Sequence, residues 1–493
     1  MFDIYTKEAR ERVLSLIRHG LPNTNSPKKI SIIGAGMSGL VAGSLLKASG
    51  HHVTILEASD RVGGKIYTAR KPFENGQYLD MGAMRIPDVH FMTLAYIEKF
   101  GLKINRFIGT TPNDLVYVNG KTARLKEVLK SPGILGFPLL EAEQKISPLQ
   151  LFQTAIRPIT EFIARNPAQN WPKVVRDFDS YSFEAFLKYN PAALSLSDGA
   201  INMLEVLLAL EGFPELSFTA VLRELLYLLE SGLVLHEITG GNDLLPHAFL
   251  KELQSIIMLN QRVEGLTQSN DEIVLRSTAG KNAKTFITKS DLVIITVPFS
   301  AFPFINVNPR SLLSYHKWRA INELHYITGT KIGLQFSRRF WEENGQYGGQ
   351  SITDLPVRFS YYPSRGIGTN TPGIVLASYT WGDDSLFWDS LDEKDRIHKS
   401  LENLSIIHGR DLSRYFMAGK SFSWGQNPYS AGVVSFYKPL QQTTLGPYIA
   451  SREGRVLFAG EHTSNYPGWI QGAIESGIRV AEEVNQLVFL HNE

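Results

Sequence analysis

The sequence predicts a mixed α/β (α+β) fold in which a discontinuous Rossmann-like domain carries a β-sheet domain and a helical insertion. Three observations predict it. First, Lys29–Ile33 ends in an apolar run, the loop Gly34-Ala35-Gly36-Met37-Ser38-Gly39 follows, and Leu40, Val41, Leu45 and Leu46 recur at helical spacing, which is the order strand, glycine loop, helix. Second, strand-like pieces suited to the same unit return far downstream, at Asp291–Pro298 and Val456–Ala459. Third, the chain between Glu141 and Gly232 is mainly helical in pattern, whereas Thr328 to Tyr379 alternates apolar and polar residues in short runs.

In the loop, Gly34 permits the tight turn, Gly36 removes a side chain that would hold an anion away from the backbone, and Gly39 lets helix and strand approach. The helix N-terminus directs free N–H groups at the same point. Val53–Leu56 reads as a second strand and delivers Glu57 about twenty residues beyond the loop, where a carboxylate accepts hydrogen bonds from a ribose hydroxyl. A glycine triplet alone is often structural; strand, helix and Glu57 together read as a dinucleotide site. Taken singly, Arg61 and Lys65 would be solvated loop cations.

Further along, Leu222, Leu225, Leu226 and Leu229 share one face of an expected helix, and Pro148, Pro158, Pro167, Pro172, Pro191 and Pro214 punctuate the insertion. Gly240-Gly241-Asn242-Asp243 starts an expected helix through Leu253, followed by a strand over Ile256–Leu259. The run from Asp291 is continuous and apolar and stops at Pro298, as a buried parallel strand does. Lys331–Phe336 and Ile374–Tyr379 suggest a separate sheet. Ala473, Ile474, Gly477, Ala481 and Val484 form the face of a last helix.

A chain of 493 residues calls for two or three domains. Lys plus Arg is 50 against 48 for Asp plus Glu, a formal charge of +2, which argues against nucleic acid and for a small-molecule partner. The absence of cysteine excludes disulfides, thiolate catalysis, cysteine-ligated metal and any S-linked cofactor; no metal site is expected. Met1–Gly20 lacks a signal-type apolar core and no run reaches membrane-helix length. No membrane association and a cytoplasmic location are therefore expected, although a leader removed earlier would leave no trace.

Several pieces together carry a resemblance: Arg61-Val62-Gly63-Gly64-Lys65, Asp80-Met81-Gly82-Ala83-Met84-Arg85-Ile86-Pro87, Gly329-Thr330-Lys331-Ile332, Asp354-Leu355-Pro356, Gly382-Asp383-Asp384 and Gly460-Glu461-His462-Thr463 with Gly468-Trp469-Ile470. From about residue 29 to the C-terminus the chain resembles the L-amino-acid oxidases of the flavin monoamine oxidase superfamily. The resemblance implies noncovalent FAD, bound by a domain built from 29–68, 236–300 and 440–493. A substrate-binding domain would comprise 1–28, 69–130 and 301–439, and a helical domain 131–235. The implied cofactor contacts are the loop Gly34, Ala35, Gly36, Met37, Ser38 and Gly39, then Glu57, Ala58, Arg61, Gly64 and Lys65. Gly82, Ala83, Met84, Arg85 and Val263 follow, and Gly460, Glu461, Gly468, Trp469 and Ile470 complete them, with Glu461 reaching the ribityl or diphosphate region.

Arg85 weighs most in this reading, because a planar guanidinium binds a substrate carboxylate through two parallel hydrogen bonds; the plain alternative is a structural ion pair with Asp80 or Asp88. By resemblance, Tyr379 adds a hydroxyl to the same carboxylate, and Lys331 is the lysine implicated in oxygen reactivity near flavin N5. Trp469 is one aromatic wall of a substrate cage, Gly468 presents its carbonyl to the substrate amine, and Val434 stands where amine oxidases place a second tyrosine. His462 reads as a structural histidine. Animal venom members carry a histidine on an insertion helix that was proposed as base; Leu222–Tyr227 has none, so either another group performs the deprotonation or, the reading we favour, substrate enters with a neutral amine and needs no base.

The resemblance thus implies FAD-dependent oxidative deamination of L-amino acids, with apolar or aromatic side chains favoured, giving 2-oxo acid, ammonia and hydrogen peroxide with oxygen as second substrate. A homodimer is the family expectation. The alternatives are an amino-acid 2-monooxygenase forming an amide, a mono- or polyamine oxidase, and a flavin-binding regulatory protein without activity.

Overall fold

The central sheet draws its strands from three distant parts of the chain. In the computed structural model, which describes residues 5–210, 212–228, 232–269, 271–279 and 284–487, it is five-stranded and parallel. Its spatial order is Ile257–Met258, His52–Leu56, Lys29–Ile33, Leu292–Ile295 and Val456–Phe458. Ile30 lies beside Val53 on one side and Leu292 on the other, and Val293 beside Val456. Ile32, Ile55, Ile294 and Leu457 are fully buried, as continuous apolar strands covered on both faces must be.

Two helices cross over this sheet. Met37–Ala48 begins at Gly36, and Ile470–Gln486 begins at Trp469. Their backbones approach closely because a Cβ at Gly477 would stand 2.7 Å from the Ser38 carbonyl oxygen. The contact is pinned by a 3.0 Å hydrogen bond between the Ser38 and Ser476 hydroxyls.

A second sheet places Lys284–Ser290, Glu272–Ala279 and Gln261–Ser269 antiparallel, with Asn306–Asn308 added in parallel. The core beneath it joins Ile33 and Val293 to Phe302, Leu313 and Ile321, so the packing of this domain continues past residue 300. Ile17 of the helix Lys7–His19 likewise shares a core with Ile32 and with Tyr96 of the helix Phe91–Lys99.

The alternating region forms a seven-stranded sheet in the order Phe416–Ser423, Gly329–Phe336, Gly373–Trp381, Phe359–Tyr361, Gln350–Thr353, Leu115–Val118, Lys121–Arg124. Gly329–Phe336 is buried along its whole length, with Lys331 directly opposite Tyr379. A small sheet pairs Ile86 with His236 and Arg106 with the same residue from the other side, so Arg85 and Arg106 flank one strand.

The insertion consists of the helices Pro148–Arg165, Pro167–Phe178, Phe183–Tyr189, Asp198–Leu208 and Phe218–Leu228. Ser147, Asn166, Ser182 and Ser197 cap the first four through their side chains, each satisfying an N–H that the helix cannot. Leu222 and Leu225 are buried and Leu226 is partly so; Leu229 lies outside the described residues. The single helix expected through Leu253 is instead two, Leu244–Ala248 and Leu250–Leu253. At Phe249 the ladder tightens to an i→i−3 bond, from Phe249 N–H to the Pro246 carbonyl at 3.3 Å, and then restarts. The strand expected over Ile256–Leu259 is shorter, at Ile257–Met258, because Gln254–Ile256 is a turn of 3₁₀-helix.

Candidate functional site

Two cavities of about 610 Å³ each meet inside the molecule. Ala83, Tyr379, Val433, Gly468, Trp469 and Ile470 line both. The first cavity runs from Glu57 and Ala58 past Gly36, Lys65 and Val263 to Gly460.

Local backbone chemistry builds the first cavity. Gly34 has φ +109° and packs against Thr296, and a Cβ at Gly39 would fall 2.1 Å from the Gly34 carbonyl oxygen, so no larger residue fits there. A Cβ at Gly36 would meet nothing within 4 Å: the backbone is bare towards the cavity, as a diphosphate requires. Glu57 is fixed by the Ala35 N–H at 2.7 Å and by the backbone and hydroxyl of Ser59 at 2.8 and 2.6 Å, and its carboxylate forms part of the wall. Met37 and Ser38, and at the other end Ile470 and Ala473, bring two helix N-termini to this cavity, which favours an anionic or electron-rich occupant. The space, the bare loop and the placed carboxylate fit a dinucleotide.

Of the expected contacts, Ala35 and Gly39 serve the site from behind, while Arg61 and Glu461 line it and are also engaged by the protein itself. Ala35 and Gly39 hold Glu57 and the turn and do not line the cavity. Arg61 donates to the carbonyls of Gly64, Val62 and Ile66 at 2.8, 3.3 and 3.2 Å and lies over the Tyr67 ring, so its guanidinium closes the loop beside the cavity. Glu461 lines the cavity, and its carboxylate accepts from Lys65 at 2.7 Å, from the Gly468 N–H at 3.0 Å and from the Ser435 hydroxyl at 3.1 Å. Burial raises its pKa, but the Lys65 charge and these donors outweigh that and hold it below the ordinary glutamate value. His462 is buried against the Phe299 ring; burial brings it down to about 3, so it stays neutral.

Lys331 is buried behind both cavities, donating to the carbonyls of Gly82 at 2.6 Å and Asp80 at 3.2 Å, with its ammonium 4.3 Å from the Tyr379 ring centre. Burial lowers its pKa and raises that of Asp80, so neither charge is strongly held.

The second cavity gathers Met84, Arg85, Tyr379, Val434, Gly468 and Trp469. Met84 and Arg85 therefore face this cavity rather than the first. Arg85 forms no ion pair with Asp80 or Asp88, nor with any other acid among the described residues. Most of the remaining wall is apolar, including Leu207, Phe213, Leu235, Trp381 and Phe436. Val434 packs on Gly468, where a Cβ would come within 2.9 Å of it.

Sequence reasoning missed Glu224. Its carboxylate accepts the Trp469 indole N–H at 2.9 and 3.0 Å and lines the second cavity. Burial pushes its pKa up, against the pull of that hydrogen bond and of Arg85 and Arg223. The available signal was a charged residue between Leu222 and Leu225 on a leucine-rich helix, which reads as a solvated edge until the helix is seen to border a cavity. Arg106, on the strand Ile104–Phe107, lines the same cavity and was also missed.

Comparison with known proteins agrees with this geometry. Residues 37–485 match the profile of the flavin containing amine oxidoreductases. The chain is 48% identical over 475 residues to a putative L-amino-acid oxidase, YobN, of Bacillus subtilis (strain 168), covering 96% of this chain and 98% of that one. It is 35% identical over 485 residues to an L-amino-acid oxidase of Siganus canaliculatus, covering 98% and 90%, and 36% identical over 481 residues to one of Naja atra, covering 97% and 91%. Among solved structures, cyclohexylamine oxidase from Brevibacterium oxydans IH-35A superposes with a TM-score of 0.74 over 94% of this chain and 99% of that one, at 18% identity; that likeness concerns the fold.

Proposed function

The chain belongs to the flavin containing amine oxidoreductase family, among its L-amino-acid oxidases, and we propose that it deaminates L-amino acids oxidatively to 2-oxo acids, releasing ammonia and hydrogen peroxide. The observation that carries this reading is Arg85, a cation set in a largely apolar cavity without an acidic partner among the described residues. A half-buried guanidinium in that state calls for an anion, and a substrate carboxylate supplies one with matching geometry.

The cofactor of this reading is FAD, held without a covalent link through sulfur because the chain has no cysteine. When bound, it supplies the two-electron oxidant and passes the electrons on to oxygen. The chain's own residues orient the substrate. Arg85 and the Tyr379 hydroxyl hold the carboxylate, the Gly468 carbonyl accepts from the amine, and Trp469 forms one wall beside the α-carbon. Val434 leaves the opposite side open for a side chain, and the leucines and phenylalanines beyond it favour apolar or aromatic ones. Lys331, with its charge weakened by burial, is assigned to the oxygen half-reaction.

The test is anaerobic mixing of the yellow holoprotein with single L-amino acids, their D-enantiomers and simple amines, then a peroxide-coupled assay in air. Bleaching by apolar L-amino acids with stoichiometric peroxide is expected; bleaching by amines alone would overturn the reading. Arg85→Ala should lower kcat/KM for amino acids by about 2–5 kcal/mol, the range for removing one partner of a buried charge pair, without loss of bound flavin.

A further inference from the structure

Of the described residues around the second cavity, Glu224 is the only acid. It projects from the helix Phe218–Leu228 beside Val221 and Leu225, which line the same wall. Both of its oxygens share a single donor, the Trp469 indole N–H. A carboxylate can accept about four hydrogen bonds, so most of its capacity is left towards the cavity. Arg85 is close enough to influence its ionisation. Both charges line one cavity without being joined in an ion pair.

That arrangement matches one kind of ligand. A zwitterionic α-amino acid carries its two charges on neighbouring positions, and the couple Arg85 and Glu224 is its complement. Building on the reading above, we propose that Glu224 receives the substrate's α-ammonium and takes one of its protons. One N–H bond of the ammonium breaks, an O–H bond forms on the carboxylate, and the electron pair stays on nitrogen. That pair is what loss of the α-hydrogen with its electrons requires. The proton returns to solvent once the product leaves. The neutral amine expected from sequence is thus made inside the cavity rather than selected from solution.

The surroundings suit the task. Burial raises the carboxyl's pKa, while the indole bond, Arg85 and Arg223 lower it; the net shift is upward, which strengthens the base. Tyr379 is also in electrostatic contact with Glu224, and burial keeps its hydroxyl protonated; Arg106 lines the same cavity. His90, on the other side of the indole, is neutral because burial holds it near 3.

Glu224→Gln tests this, since the amide oxygen still accepts the indole N–H but cannot take the proton. The readout is the rate constant of anaerobic flavin reduction by an L-amino acid across pH, alongside the flavin spectrum. At neutral pH the variant should be slower by about 10²-fold, and the deficit should shrink as pH rises towards the ammonium's own pKa. Glu224→Asp should be slower than wild type with an unmoved pH profile, and serves if the Gln variant loses its flavin; an Asp profile displaced to alkaline pH would overturn the proposal. A Gln deficit equal at every pH would also overturn it and leave Glu224 as a positioning residue for Trp469, and an unchanged rate would remove it from the reaction. If no L-amino acid reduces the wild-type flavin, the proposed function itself fails; wild-type reduction with a flat deficit in the variant sinks this inference alone.

Discussion

Lys65 and Glu461 show how one residue pair can hold a site that neither was expected to hold in this way. Their side chains are 23% and 8% exposed, and the 2.7 Å contact joins the loop after Glu57 to the segment before the last helix. Through its other oxygen Glu461 also fixes the Gly468 N–H, so the pair sets where the Gly468 carbonyl points. Lys65→Met would leave this carboxylate buried without its cation, which costs about 3–5 kcal/mol for an uncompensated buried charge; the partial exposure of Lys65 places the expectation at the lower end. Thermal unfolding of the variant against Lys65→Met/Glu461→Gln checks it, the double variant recovering part of the loss. The pH dependence follows from the sign of the shift. The folded pKa of Glu461 lies below the ordinary value of 4.5, so its stabilisation is fully present above that value and is lost as pH falls through the lower, folded pKa. Wild type should therefore lose thermal stability more steeply than Glu461→Gln below pH 4.5, and parallel profiles would contradict this.

At the scale of elements, the crossing of Met37–Ala48 and Ile470–Gln486 sets the distance between the two ends of the first cavity. Gly477→Ala would place a methyl 2.7 Å from the Ser38 carbonyl oxygen and 3.0 Å from the Val41 Cβ. Backbone cannot yield as a flexible side chain does, so the helices must separate, at a cost of about 1–3 kcal/mol for overpacking. Flavin retention on gel filtration should fall together with the melting temperature, and a variant that melts earlier but keeps its flavin would show that the crossing does not set the cavity. The same crossing shows what sequence could and could not disclose. Apolar periodicity places both helices and the strands Lys29–Ile33 and His52–Leu56 close to their observed limits, because strand and helix periods are local properties; the strand expected over Asp291–Pro298 is shorter, at Leu292–Ile295. Arg85, Gly468 and Trp469, which the structure brings with Tyr379 to one cavity, stand in motifs short enough to read along the chain. The placement of Glu224 was not legible in this way, since it depends on which wall a leucine-rich helix turns to a cavity, and neither was the bond from Lys65 to Glu461, a partner 396 positions away. The broken helix at Phe249 escaped for a different reason: tightening of a hydrogen-bond ladder leaves no mark in residue spacing.

For the whole molecule, the decisive fact is that the first cavity is walled by every part of the discontinuous sheet domain. Gly36 and Glu57 come from its beginning, Val263 and Thr296 from its middle, and Gly460 and Ile470 from its end. No one segment completes the site, so an occupant bridges chain portions whose association carries a large loop-closure entropy. A ligand that binds only the assembled state stabilises it by RT ln(1 + [L]/Kd), about 2.7 kcal/mol at a hundredfold excess over Kd. Removing the cofactor should therefore loosen the fold as a whole rather than one lobe. We expect apoprotein to melt at a lower temperature than holoprotein, and added FAD to restore the difference in proportion to the logarithm of its concentration. FMN lacks the adenosine half that would reach Glu57 and should restore much less. Limited proteolysis gives the spatial version of the same measurement: cleavage of the apoprotein should rise at sites in all three portions of the domain, and FAD should protect all three together. Protection confined to the N-terminal portion would mean that the sheet assembles without its ligand and that the cavity is a consequence of the fold rather than a contributor to its stability.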